Sequence, residues 1–337
     1  MDTEILNPQI EANVFASDSG AVPEPLIIRT LELPSLSFPG KYKTPVYIPE
    51  WERIVLGHFG SNRLSLWNSR TFELIDFRYT REKLHFCLAY STKTGMIYSS
   101  GLDGQVTGIK VNKDSLGYYG DDVMSAKLSE KIEKISCLDD CNLLACTSGD
   151  SLIYLLDIYT LEVKQTLSLG GVEISWEFAY DPKDDTLAIL AGDFRESFIF
   201  LYSLKTFRCL CKLSAGRDDI GNKALAFCGQ RNTLIAQPKT NLIKFWSFHS
   251  SQKIKAHKTI ILPESSHSFC LIEELDLLLV CLKSNKLQFY KLSTGQLTKS
   301  LDVFFEIETI FKLQNEEKIF AINKDFSQVI ILKSSQL

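Results

Sequence analysis

One five-residue pattern recurs through this chain at a nearly constant interval. It reads apolar, any residue, apolar, large apolar or aromatic, polar. It stands as LSLWN at Leu64, VTGIK at Val106, IYLLD at Ile153, IFLYS at Ile199, IKFWS at Ile243, LQFYK at Leu287 and VIILK at Val329. The fourth positions are Trp67, Ile109, Leu156, Tyr202, Trp246, Tyr290 and Leu332, separated by 42, 47, 46, 44, 44 and 42 residues. Alternation of apolar and other residues is the period of a strand, since successive side chains point to opposite faces. A strand that returns every 40 to 45 residues or so is the signature of a repeat architecture, and strand-rich repeats of this length match a propeller blade.

The remainder of each period supports that reading. A second apolar run precedes each anchor strand, at 52–59, 95–102, 142–149, 186–193, 232–239, 276–283 and 317–324. A further short run precedes that one, as in LHFCLAYS (84–91), KALAFCGQ (223–230) and IETIFKLQ (307–314). Polar turns such as NSRT, YTLE, LKTF and STGQ follow the anchors and lead into another strand. Four strands per period is the content of one blade. Helical periodicity is weak throughout, which disfavours the helical solenoids of similar period.

Two stretches, SSGLDGQVTGIK (Ser99 to Lys110) and TSGDSLIYLLD (Thr147 to Asp157), resemble the ending of a WD40 repeat. Asp103 and Asp150 each fall six residues before the anchor, where that family carries a turn aspartate. Asp157 holds the family's final Asp position, which elsewhere is Asn68, Lys110, Ser203, Ser247, Lys291 and Lys333. The family's Gly-His pair has no counterpart, because Gly57-His58 sits on a second strand. The resemblance implies an all-β, seven-bladed WD40-like β-propeller with four-stranded blades. The last anchor, Leu332, lies five residues from the final residue, so the last blade has three strands of its own. Residues 24–33 (EPLIIRTLEL) are expected to supply its outer strand and close the ring, as in the WD40 family. The expected organisation is a tail, 1–23, followed by one propeller, 24–337. The tail carries Ile5, Leu6, Ile10, Val14 and Phe15 among acidic and polar residues. Disorder is the default for such a terminus, the alternative being an arm that orders on a partner.

Composition narrows the classes. Net charge is −4 and the isoelectric point near 5.8, so nucleic acid is not the expected direct ligand. Lys253, Lys255, His257 and Lys258 alternate as the solvated face of one outer strand. No apolar run approaches the roughly 20 residues of a membrane span. The start, acidic with no Lys or Arg before Arg29, lacks the features of a secretory or transit leader. Nine cysteines at irregular spacing fit scattered thiols in a reducing compartment, cytoplasmic or nuclear.

No phosphate loop, nucleophile elbow or zincin motif is present in the sequence. CLDDC (Cys137 to Cys141) has no second Cys/His pair at zinc spacing, and Cys209 and Cys211 share one strand face. His58, His85, His249, His257 and His267 fall in different repeats. No catalytic residue, metal ligand or cofactor site is therefore assigned. Binding candidates come from the polar connections on the rim where outer strands lead to the next blade: Arg81, Lys83, Arg195, Arg217, Asp218 and Asp219. The insertion 113–125, with Tyr118, Tyr119 and Met124, is a candidate second contact. The chain reads as a non-catalytic protein–protein interaction scaffold, itself monomeric, within a larger complex. The alternatives are a propeller hydrolase with its site at the channel mouth, and a non-catalytic subunit of an RNA-modifying enzyme.

Overall fold

In a computed structural model the protein is all-β. The structure describes residues 27–32, 42–58, 63–71, 73–79, 85–117, 122–128, 131–172, 174–192, 196–217, 224–247, 254, 256–312, 318–323 and 328–333. The tail 1–23 lies outside them.

The first strand is β1 (Ile27–Glu32). Sheet I holds β2 (Tyr42–Ile48), β3 (Arg53–His58), β4 (Arg63–Asn68) and β5 (Leu74–Tyr79). Sheet II holds β6 (His85–Ser91), β7 (Met96–Gly101), β8 (Gln105–Lys110) and β9 (Asp122–Lys127). Sheet III holds β10 (Ile132–Leu138), β11 (Leu143–Ser148), β12 (Leu152–Asp157) and β13 (Val163–Ser168). Sheet IV holds β14 (Ile174–Asp181), β15 (Thr186–Gly192), β16 (Glu196–Ser203) and β17 (Arg208–Arg217). Sheet V holds β18 (Ala224–Cys228), β19 (Thr233–Lys239), β20 (Leu242–Ser247) and β21 (Ala256–Ile261). Sheet VI holds β22 (Ser266–Ile272), β23 (Leu277–Leu282), β24 (Lys286–Lys291) and β25 (Leu297–Asp302). The last strands, β26 (Ile307–Lys312), β27 (Lys318–Asn323) and β28 (Gln328–Lys333), form a sheet in the order β1-β28-β27-β26.

The expectation of one closed seven-bladed ring is corrected by this arrangement. Six sheets are blades complete in themselves, each made of four consecutive strands. The remaining sheet is a composite of the two ends of the chain. The molecule also divides into two compact units, 38–267 and 1–37 with 268–337. An even spacing of anchors reports repeated strands; it does not report how the repeats group in space.

Within the larger unit the first strands of sheets I to V lie against one another in succession. Apolar layers fill the spaces between. Leu64, Leu66 and Ile48 of sheet I share a cluster with Ile97 and Ile109 of sheet II. Tyr98 meets Leu144 and Leu156 between sheets II and III, and Leu155 meets Ile189 and Tyr202 between III and IV. Leu201 and Trp246 share the layer between IV and V. In the smaller unit Leu279 and Phe289 of sheet VI pack with Ile310 and Leu332 of the composite sheet. All seven anchors are buried, as large apolar side chains on half-buried strands should be. Their burial is the main favourable term, at about 25 cal/mol per Å² of apolar surface removed from water.

The anchors also mark an irregularity. The pairing of each third strand with its outer strand slips beside the anchor, between Leu66/Trp67, Gly108/Ile109, Leu155/Leu156, Leu201/Tyr202, Phe245/Trp246 and Phe289/Tyr290. Leu332 in the composite sheet does the same: it pairs with Ile27 while Ile331 pairs with Arg29. One extra residue stands in the outer strand each time, among them Ile75, Lys164, Leu210, His257 and Thr298. A bulge of this kind sharpens the local twist and spoils the outer edge as a template for further pairing.

Candidate functional site

Two rims are defined by the connections. On one, the turn between first and second strands ends in a residue in the left-handed region: Glu52 (φ 56), Gly95 (φ 65), Asn142 (φ 57), Asp185 (φ 49), Asn232 (φ 47) and Asp276 (φ 57). From four of these the carbonyl accepts an amide of the turn that follows the anchor strand. The donors are Ser69 N to Glu52 O (3.0 Å), Ile158 N to Asn142 O (3.0 Å), Leu204 N to Asp185 O (2.8 Å) and Leu292 N to Asp276 O (2.7 Å). Asn and Asp tolerate this conformation better than other residues with a Cβ, because their short side chains can bond locally.

The same rim is tied from sheet to sheet in the larger unit. Tyr90 Oη donates to Glu50 (3.1 Å), joining sheets I and II. Thr92 donates from its amide (3.0 Å) and hydroxyl (2.9 Å) to Asp139 Oδ2, joining II and III. Cys141 Sγ lies 3.2 Å from Tyr180 Oη, joining III and IV. Lys183 Nζ donates to Gly229 O (2.6 Å), joining IV and V. Charge-assisted bonds of this kind are the stronger ones.

Cys141, Tyr180 and Asp185 are the described group that most resembles chemistry, so its electrostatics matter. Burial pushes the Cys141 thiol up, and the Asp185 carboxylate adds to it. Burial also raises the Tyr180 hydroxyl, and its bonds to Cys141 and Asp185 raise it further. Burial pulls Asp185 upward too, but hydrogen bonds from Lys205, Tyr180 and Cys141 outweigh it and hold the carboxyl below its ordinary range. A nucleophilic thiol needs the reverse, a cation or helix terminus that lowers it. This cluster is a latch between sheets III and IV.

Burial raises Cys137, Cys146, Cys270 and Cys281, and Cys209 alone of the nine is exposed. No group of three or more His, Cys, Asp or Glu among the described residues could hold a metal ion. His257 is lowered by burial and by Lys258. It faces Ser247 Oγ at 3.0 Å on outer strand β21. Lys258 lies 4.0 Å above the Phe245 ring, so its stem covers the blade rather than forming part of a free basic face.

The binding candidates read from the sequence are expected on the opposite rim. Arg81, Lys83, Arg195, Asp218 and Asp219 lie outside the described residues. Arg217 is the last residue of β17 and pairs with Glu196, the first residue of β16. Of the second contact, Tyr118 and Tyr119 lie outside the described residues. Met124 sits half-buried in β9, packed on the layer that holds Cys87 and Tyr98, and is a core side chain.

A surface that the sequence reading missed lies on β5. Phe77 and Tyr79 are 46% and 51% exposed, their rings edge to face at 6.3 Å. The Arg63 guanidinium, itself buried, stands 4.2 Å from the Phe77 centroid and 5.5 Å from Tyr79. The pairing of Arg63 with Tyr79 across β4 and β5 fixes this stack. Exposed, pre-ordered aromatics backed by a cation bury apolar area at small entropic cost when a partner covers them. The signal was the alternation in LIDFRY, with two aromatics on one face of an outer strand.

No family model matches the chain, and no curated protein matches it significantly. Solved structures do. A chain described as hydrazine synthase of Kuenenia stuttgartiensis aligns with a TM-score of 0.71 at 8% identity, over 87% of this chain and 95% of that one. The β-propeller domain of Cps50 (Swd1) from Myceliophteria thermophila aligns with a TM-score of 0.71 at 11% identity, over 91% and 98%. No helix among the described residues is long and apolar enough to cross a membrane. At such identities a likeness speaks of fold alone, and what it shows here, with the four-stranded sheets, is that this chain has a β-propeller fold.

Proposed function

We propose that the protein is a non-catalytic, WD40-like interaction scaffold that holds other proteins in a complex. The observation that carries this is the division of labour between polar and apolar side chains. The polar groups that come together, at Cys141–Tyr180–Asp185, Lys134–Glu177 and Thr92–Asp139, join one sheet to the next. Large apolar side chains stand outward instead, with Phe77 and Tyr79 pre-stacked on Arg63. Residues committed to bracing cannot shuttle protons, whereas exposed aromatics are the usual anchors of protein interfaces.

Affinity capture with the full chain as bait, read by mass spectrometry, tests this. A double variant, Phe77→Ala with Tyr79→Ala, should lose a reproducible subset of partners at unchanged melting temperature. Arg195→Glu with Arg217→Glu tests the rim in the same way. Partner sets identical to wild type for both variants would remove these surfaces. Turnover of an ester, peptide or phosphate substrate by the purified chain would replace the scaffold with an enzyme. RNA-modifying enzymes among the partners would narrow the reading to a subunit of such a complex.

A further inference from the structure

The connection from β8 to β9 leaves sheet II and lies across sheet I. It does so through main-chain hydrogen bonds, polar side-chain contacts and one buried leucine. Arg53 Nε donates to the Lys113 carbonyl (3.0 Å), and its Nη2 stands 3.6 Å from the Asp114 carboxylate. The same guanidinium is fixed from behind by the Trp51 carbonyl (2.9 Å). Asp76 Oδ2 accepts from Ser115 Oγ (3.0 Å) and from the Leu116 amide (2.8 Å). Arg78 Nη1 donates to the Leu116 carbonyl (2.9 Å). The Leu116 side chain is fully buried, in the cluster that holds Leu64, Leu66 and Ile75 of sheet I. Asn112 and Ser115 form an isolated bridge that keeps the segment in a tight turn.

Two buried arginines and an aspartate on one blade thus bind two carbonyls and an amide of a short segment, together with one acidic and one hydroxyl side chain, while its leucine is buried in the apolar cluster. A connection that only spanned two strands would not need three charged residues of the neighbouring blade. We infer that this face of sheet I is a peptide-binding site, occupied in this structure by the chain's own residues 113–116. Its external ligand is a partner segment of the same chemistry, an acidic residue followed by serine and leucine. The internal segment is a competitor, so binding is gated by its release. The site is separate from the Phe77–Tyr79 surface and from the rim, and does not depend on either.

A labelled synthetic peptide, VNKDSLG, is the probe. Leu116→Asp unseats the internal segment without touching Arg53, Asp76 or Arg78, as does replacement of 112–117 by a Gly-Ser connection. Both variants should bind the peptide at least tenfold more tightly than wild type in a fluorescence titration. Adding Asp76→Ala should abolish the gain, and a peptide with Leu replaced by Asp should not bind. Folded variants that bind the peptide no better than wild type, or bind both peptides equally, overturn the inference. If neither variant folds, hydrogen exchange on the wild-type chain decides. Millimolar peptide should speed exchange of the Leu116 amide by competing for Asp76, and an unchanged rate makes the segment a permanent brace.

Discussion

Asn142 shows how one residue serves two purposes in this fold. Its φ of 57° turns the chain from the short 3-10 turn Asp139–Cys141 into β11. Its carbonyl then accepts the Ile158 amide across the same rim. Alanine would keep the bond but tolerates the left-handed region less well than asparagine, a cost of about 1 kcal/mol. Glycine removes that cost. Denaturant unfolding should therefore rank Asn142→Gly near wild type and Asn142→Ala about 1 kcal/mol below it; equal values would mean that the conformation is not held in solution. Asp185 supplies a second test. Its carboxyl is held below the ordinary range in the folded protein, so its contribution is present above the unfolded value near pH 4. That contribution is lost as pH falls through the lower folded value. Asp185→Asn should be less stable than wild type at pH 7, and the gap should close on acidification. A gap that persists to pH 2 would mean that the charge is not what stabilises.

At the scale of the element, the anchors are the part of the fold that was legible from sequence. Trp67, Tyr202 and Trp246 announced the third strand of a blade because one face of that strand must be apolar and large. The bulge beside each anchor was not legible, since an extra residue in an outer strand leaves no mark on a two-residue alternation already dominated by exposed positions. The rim candidates Arg81 and Asp218 lie outside the described residues; charged loop residues obey no periodicity, so they could be chosen only by topology. The bulge makes its own prediction. Lys164 is the extra residue of β13, and Lys164→Ala should change stability by no more than about 0.5 kcal/mol, as surface substitutions do. Deleting Lys164 should cost far more, because the strand would lose the bulge and with it the bend and local twist beside the anchor. Thermal melting of the pair compares the two. Similar melting temperatures would show that the bulge is incidental.

For the whole molecule the decisive element is β1, which pairs with β28 from the far end of the chain. An N-terminal truncation that removes 1–23 spares that strand, while removal of 1–34 leaves β28 as an open edge in the smaller unit. The shorter truncation should melt like the full chain. The longer one should lose cooperativity or aggregate, because an unpaired long edge is a template for association. Identical melting of both truncations would mean that β1 contributes little to the unit.

That pairing also has a consequence in time. When β1 leaves the ribosome its partner has not been made, and roughly 300 residues must follow before β28 exists. At about 5–20 residues per second, the strand IIRTLE waits for something like 15–60 s while the sheets between form one after another. During that interval its hydrogen-bonding edge and its apolar residues are open to chaperones and to other nascent chains on the same message. Full-length chains that finish slowly, on a message rich in rare codons, should therefore show more co-translational association than fast ones, though the finished protein is the same.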